Sequence, residues 1–226
     1  QSLFPNFKIQ NKSNSDDSSI MQAALKSTSD FIDINHAGTA MRFLTSYFSQ
    51  LEGREVILTG SERMQQRPIK ILVDALRSLG ASIEYEKKQG YPPLRIKGKK
   101  LDGGTISLPA DISSQYISSL IMLGAVLKAG IELNLKGTIT SMPYINMTLD
   151  LLKRLGIKTE FKGHRILVKN TSKSKNTIQV VESDWSSASY FFSIAALSDK
   201  AKIYLSNYKS NSLQGDSILR IIYKQL

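Results

Sequence analysis

Four short stretches place polar or cationic residues where a loop gives way to a helix, and their residue types suit the binding of anions. In "NHAGTAMR", Gly38 lets a ligand approach the backbone, and Arg42 follows one turn later. The N–H groups of that first turn have no intrahelical acceptor and point at whatever sits there. Taken singly, the stretch is as readily an ordinary glycine at a helix start. In "LTGSERMQQRPI", Arg63 and Arg67 fall in a polar loop between a strand and a helix. The planar guanidinium fork donates two hydrogen bonds at once to phosphate or carboxylate. Solvated arginines are the alternative, which stays open for Arg67. For Arg63 the position between two strongly patterned elements favours a ligand, because scaffolds carry ligands on such loops.

"DISSQYISSL" puts Ser113 at a helix N-cap, with Ser114 and Gln115 in the first turn. Two hydroxyls, a carboxamide and free N–H groups make a neutral anion cradle, whereas capping alone needs one serine. "TSMPYINMTLDLL" repeats the idea, with Ser141 ahead of Pro143 and Tyr144 in the first turn. The phenol there could meet a sugar-like ring or simply pack.

Other chemistries find no support in the residues. There is no cysteine, hence no disulfide, thiolate metal site or cysteine nucleophile. Histidines and carboxylates are not spaced as metal ligands, no GxxxxGK[ST] occurs, and neither histidine stands in a serine-triad context. His164 reads as a solvated turn residue, "KGKK" and "KNTSKSK" as solvated faces, and Asp16-Asp17 as acids matched to a helix N-terminus. Thirty Lys+Arg against 19 Asp+Glu leave a charge of +11, so the expected partner is anionic: nucleic acid, a membrane surface or a phosphorylated metabolite. Basic and aromatic residues do not interleave as an RNA-binding sheet requires. No apolar run approaches the ~20 residues of a membrane span. The opening "QSLFPNFKIQ" lacks a signal peptide's pattern and reads as a chain entered partway through.

The elements that must position these stretches are repeated. "LVDALRSLGASIEY" and "LDLLKRLGIKTEF" align on Leu79-Gly80 and Leu155-Gly156, with Asp74 matching Asp150 and Leu76 matching Leu152. Each predicts an amphipathic helix ended by a glycine in the left-handed conformation, then an alternating strand. Upstream, "EVILTG" and "IELNLKG" read as strands, and Pro68 and Pro143 sit where a helix's first turn tolerates a missing N–H. A third copy is expected from the strand "AKIYLSNY" into the helix "GDSILRIIYKQL", so the chain is expected to end inside a repeat. With "FIDIN", "PLRIKG", "RILVKN" and "TIQVVE" as further strands, the pattern is an α/β fold of repeated units sharing a helical core. A composition break comes only near Glu182.

Taken together, "HAGTAMR", "LTGSERMQQRPI", "LVDALRSLGA", "YPPL", "SSQYISSLIM", "SMPYINMTLDLL", "DWSSASYF" and "LQGD" stand in an order that resembles the 5-enolpyruvylshikimate-3-phosphate synthases, the 3-phosphoshikimate 1-carboxyvinyltransferases. The resemblance implies two domains of the inside-out barrel type, each of three βαβαββ units around parallel helices. Residues 1–181 would form most of the first, and 182–226 the start of the second. It implies transfer of the enolpyruvyl group of phosphoenolpyruvate to the 5-hydroxyl of shikimate 3-phosphate, with release of phosphate and without metal or cofactor. Ser113, Ser114, Gln115, Ser141 and Tyr144 match shikimate 3-phosphate contacts, and Gly38, Arg63 and Gln115 phosphoenolpyruvate contacts. Arg42 and Arg67 match supports of the same pocket.

His36 stands where many members carry asparagine and is assigned no role. The family's lysine, serine and arginine motif near its N-terminus is absent, as are the acids, arginines and lysine of its second domain. No catalytic residue is therefore assigned here, and the chain alone is expected to be an inactive fragment. A cytoplasmic monomer with small-molecule partners, and without nucleic acid or membrane, is the implied setting. The sister transferase acting on UDP-N-acetylglucosamine commonly uses a cysteine, which this chain lacks. From another class, a non-catalytic anion- or nucleic-acid-binding module would fit the charge, with binding that falls steeply with salt.

Overall fold

A computed structural model describes residues 3–4, 7–171, 175 and 177–225. Its centre is one βαβαββ unit used twice. The first copy runs β2 (Phe31–Asp33), α2 (Gly38–Ser49), β3 (Glu55–Thr59), the short α3 (Glu62–Gln65), α4 (Lys70–Ser78), β4 (Ser82–Tyr85) and β5 (Leu94–Lys97). The second runs β6 (Gly104–Pro109), α5 (Ser114–Gly124), β7 (Ile131–Lys136), α6 (Met142–Arg154), β8 (Thr159–Lys162) and β9 (Arg165–Val168). Sheet orders are β2-β3-β5-β4 and β6-β7-β9-β8, with the first pair parallel and the others antiparallel in each. Identical order in two sheets of one chain is what the sequence repeat implies.

The physical cause of the repeat is legible in its helices. In α4, Leu72, Val73 and Leu76 are buried with the preceding Ile69, at i, i+3, i+4 and i+7 spacing. In α6 the buried residues are Ile145, Thr148, Leu149 and Leu152, the same spacing displaced by 76 residues. Both helices close identically. Gly80 and Gly156 take φ of +95° and +85°, the left-handed region that glycine enters without a Cβ penalty. Ala81 N–H then reaches back to Leu76 O at 3.0 Å, and Ile157 N–H to Leu152 O at 3.0 Å. These bonds satisfy carbonyls that a helix end leaves bare.

Helices α2, α5 and α6 pack side by side, and one apolar core runs from Phe4 to Val168. Outside the two units, β1 (Phe7–Gln10) leads to α1 (Asp16–Lys26) and pairs in parallel with β10 (Thr177–Val180). From Glu182 onward α7 (Trp185–Ala196) buries Trp185 and Ala188 outside the main core. Tyr190, Leu197 and Tyr204 there are 73, 89 and 81% exposed.

Four expectations need correction. "AKIYLSNY" forms no strand: an isolated strand leaves its backbone groups unpaired, and among the described residues none lies beside it to form a ladder. The helix expected from Gly215 is a 3-10 turn, Gly215–Ile218, and one α-helical turn, α8 (Leu219–Ile222). Pro68 precedes the N-cap Ile69 of α4 and so lies outside the helix, whereas Pro143 is within the first turn of α6. The intervening "loop" is partly helical, because Ser61 caps α3 by accepting from Met64 N–H at 3.3 Å.

Candidate anion-binding site

The chain leaves each parallel strand at its carboxyl end, where open α/β sheets collect ligands. In the first sheet Asn35, at φ +49°, accepts Ser61 N–H at 2.9 Å, tying the loop after β2 to the loop after β3. In the second, Ala110 O accepts Thr140 N–H at 3.4 Å, tying the loops after β6 and β7. Across the two units, Gln115 Nε2 donates to Thr39 Oγ1 at 3.1 Å. Thr39 and Gln115 are also 76 residues apart, so equivalent positions of the repeat meet where the helices begin.

Around that contact the first unit is cationic. The N-cap of α2, Ala37, supplies no side-chain cap, so the first-turn N–H groups are left for a ligand. Arg67 overlies this turn: a Cβ built on Gly38 would lie 2.3 Å from its Nη1. Arg42 is only 4% exposed and donates from Nη1 to Gly38 O at 3.0 Å. Its guanidinium sits 5.8 Å from the Tyr116 ring centroid, and Tyr116 Oη donates to Pro68 O at 2.5 Å. Burial holds the Arg42 pKa below its ordinary value; Tyr116 opposes that shift and Arg67 adds to it. Arg42 Nε is buried and has no hydrogen-bond partner among the described residues. Among the described residues no carboxylate pairs with Arg42, Arg63 or Arg67.

The groups that the second unit brings to its helix starts are neutral. Ser113 caps α5 by accepting Gln115 N–H at 3.3 Å, beside half-buried Ser114. Ser141, at φ +53°, precedes α6 without a side-chain cap, and Tyr144 lies exposed in its first turn. The structure thus joins Gly38, Arg42, Arg67 and Gln115 in one contact network and puts Ser113, Ser114, Ser141 and Tyr144 at the neighbouring helix starts. Arg63 is exposed on α3, and its guanidinium makes no hydrogen bond or ion pair among the described residues. Exposed His36 approaches Asp16 to 3.8 Å.

Sequence reasoning passed over Thr39, Tyr116 and Met64, whose sulfur lies 3.7 Å from Arg42 Nη1. The repeat relation of Thr39 to Gln115 could have found Thr39; nothing in the residue type or spacing of Tyr116 and Met64 sets them apart from ordinary core positions. A surface hollow of about 340 Å³, lined by Phe31, Asp33, Ile57 and Lys87 among others, contains none of the expected site residues. Among the described residues no group of three or more histidines and carboxylates could hold a metal, and no helix is long and apolar enough to cross a membrane.

Repeated βαβαββ units with anion-directed helix starts define a class of α/β protein, and solved structures share the fold. Two structures of EPSP synthase from Acinetobacter baumannii superpose with TM-scores of 0.70 and 0.72 at 21% identity. They cover 83 and 88% of this chain and 46 and 51% of theirs. Within that class, residues 4–226 match the family model for EPSP synthase (3-phosphoshikimate 1-carboxyvinyltransferase), and the chain belongs to that family. A 3-phosphoshikimate 1-carboxyvinyltransferase of Bacteroides fragilis is 50% identical over 209 residues, which is 92% of this chain and 51% of the relative. One from Actinobacillus pleuropneumoniae is 40% identical over 190 residues, 82% of this chain and 43% of the relative. The chain spans about half the length of the curated relatives it matches.

Proposed function

We propose that the natural protein containing this chain transfers the enolpyruvyl group of phosphoenolpyruvate to the 5-hydroxyl of shikimate 3-phosphate, and that this chain supplies much of the binding surface. The observation that carries the reading is the uncompensated pair Arg42 and Arg67 against Gly38, bonded through Thr39 to Gln115 of the neutral cradle. In the reaction the C2=C3 bond of phosphoenolpyruvate takes up a proton at C3 as the 5-hydroxyl oxygen bonds to C2, giving a tetrahedral intermediate; the C2–O bond to phosphate then breaks as C3 gives up a proton and the double bond re-forms. The hydroxyl proton and the phosphate must both leave, so fixed donors have to hold the anions while water is excluded.

Gly38, Arg63 and Gln115 contact phosphoenolpyruvate, with Arg42 and Arg67 setting the local potential. Ser113, Ser114, Ser141 and Tyr144 hold shikimate 3-phosphate together with Gln115. Residues 1–181 belong to the first domain, 182–226 begin the second, and the proton-transfer groups lie outside this chain. A cytoplasmic monomer without a metal or other cofactor completes the reading.

Arg63→Ala in the full natural protein tests the assignment. Arg63 is exposed and has no partner among the described residues, so stability should move by less than about 0.5 kcal/mol. KM for phosphoenolpyruvate should rise roughly tenfold, as for a lost charge-assisted hydrogen bond, with shikimate 3-phosphate affinity held within about twofold. Equal weakening of both would contradict it. Gly38→Ala gives a second check. The added methyl meets the far end of a flexible arginine, so the fold should tolerate it, yet it occupies the ligand's approach. Steady-state kinetics should find KM for phosphoenolpyruvate raised about tenfold or more, the equivalent of ~1.4 kcal/mol; an unchanged KM would remove Gly38 from the site.

A further inference from the structure

The helix repeat has one conspicuous exception. At the position where α4 buries the apolar Leu72, α6 carries Thr148, 9% exposed. Opposite it, at the position where α2 has the cation Arg42, α5 carries Ser118, 5% exposed. Thr148 Oγ1 lies 2.9 Å from Ser118 Oγ and 2.9 Å from Tyr144 O. A hydroxyl has one proton and a carbonyl can only accept. Thr148 therefore donates to Tyr144 O, leaving Ser118 to donate to Thr148. Among the described residues this is the only side-chain hydrogen bond between α5 and α6.

A second relay of the same form joins α2 to α5. Ser46 Oγ lies 3.1 Å from Ser119 Oγ, which donates to Tyr116 O at 3.0 Å. Each relay ends on the carbonyl of a residue in the first turn of a helix that faces the site. Tyr116 packs against Arg42 on the cationic side; Tyr144 belongs to the shikimate phosphate side. The two sides differ in how else they are held. Cap Ser113 and the Thr39–Gln115 bond fix the start of α5, but α6 starts at left-handed Ser141 with no side-chain cap.

We propose that Thr148 is a positioning residue: through Ser118 it fixes the first turn of α6 against α5, and so sets the spacing between Ser113–Gln115 and the Ser141–Tyr144 pair that grips shikimate 3-phosphate. The inference rests on the proposed function. Burying the Thr148 hydroxyl where the repeat otherwise buries Leu72 weakens the apolar stripe, and a site that must hold a rigid ligand between two helix starts gives that choice a use.

The test is Thr148→Val, close in shape but without the hydroxyl, in the full natural protein, with Thr148→Ser as the conservative variant. Valine should raise KM for shikimate 3-phosphate about tenfold, the loss expected from one buried hydrogen bond, while KM for phosphoenolpyruvate and kcat stay within about twofold. Serine should restore KM to within about twofold of the parent. Thr148→Val that lowers only the thermal midpoint, or raises both KM values together, would overturn the proposal. If the parent protein itself neither binds nor turns over shikimate 3-phosphate, the functional reading fails instead.

Discussion

Arg42→Met is expected to leave the protein as stable as its parent or up to about 1 kcal/mol more stable, while raising KM for phosphoenolpyruvate roughly hundredfold. The guanidinium is 4% exposed, sits near Arg67 and, among the described residues, faces no carboxylate and leaves Nε unpartnered, so its charge is desolvated at a cost that one carbonyl, a thioether and a tyrosine ring only partly offset. Methionine keeps the length and apolar contacts and removes the charge. The expected loss is that of a strong charge-assisted interaction, about 3 kcal/mol. Thermal denaturation and steady-state kinetics check the two halves separately. A variant that is markedly less stable would mean that Arg42 is a structural cation rather than one held for a ligand.

Gly130→Ala is expected to cost about 3 kcal/mol or more of stability. Gly130 has φ +70°, and a Cβ there would lie 2.3 Å from Val168 O, a backbone atom that cannot swing away. Its own carbonyl accepts Gly104 N–H at 3.2 Å, so the starts of β6 and β7 and the end of β9 meet at this one residue. Gly137→Ala isolates the conformational part of the effect. Gly137 has φ +91° but nothing within 4 Å of an added Cβ, so about 1 kcal/mol is expected. Chemical denaturation of both variants decides; equal losses would show that crowding at Gly130 contributes nothing.

The helices and strands of the two units were legible because their cause is local. The i, i+3, i+4, i+7 stripe of Ile69 to Leu76 recurs at Ile145 to Leu152, and glycine follows each helix where a left-handed residue is required. "AKIYLSNY" alternates as a strand should, but alternation says nothing of a partner strand, and pairing is what makes a strand. The helix starts of the candidate site were legible as well: Gly38 and Ser113 announce themselves by residue type. Contacts made across the repeat were not. Nothing in "GTAMR" or "SSQY" says that Thr39 will bond Gln115, or that Arg42 will lie under Tyr116, because both depend on α2 packing against α5. Arg63 is the converse case, chosen for its charge and its place in a motif, and exposed on α3 without a partner among the described residues.

Calorimetric titration of the full natural protein with shikimate 3-phosphate at two salt concentrations, with shikimate and inorganic phosphate as separate titrants, decides whether these helix starts form a site for shikimate 3-phosphate. Saturable one-to-one binding of shikimate 3-phosphate, far tighter than either fragment and weakening only modestly with salt, is the predicted result. Binding no tighter than that of inorganic phosphate, falling steeply with salt, would contradict the account and mark the charge as a non-specific anion surface.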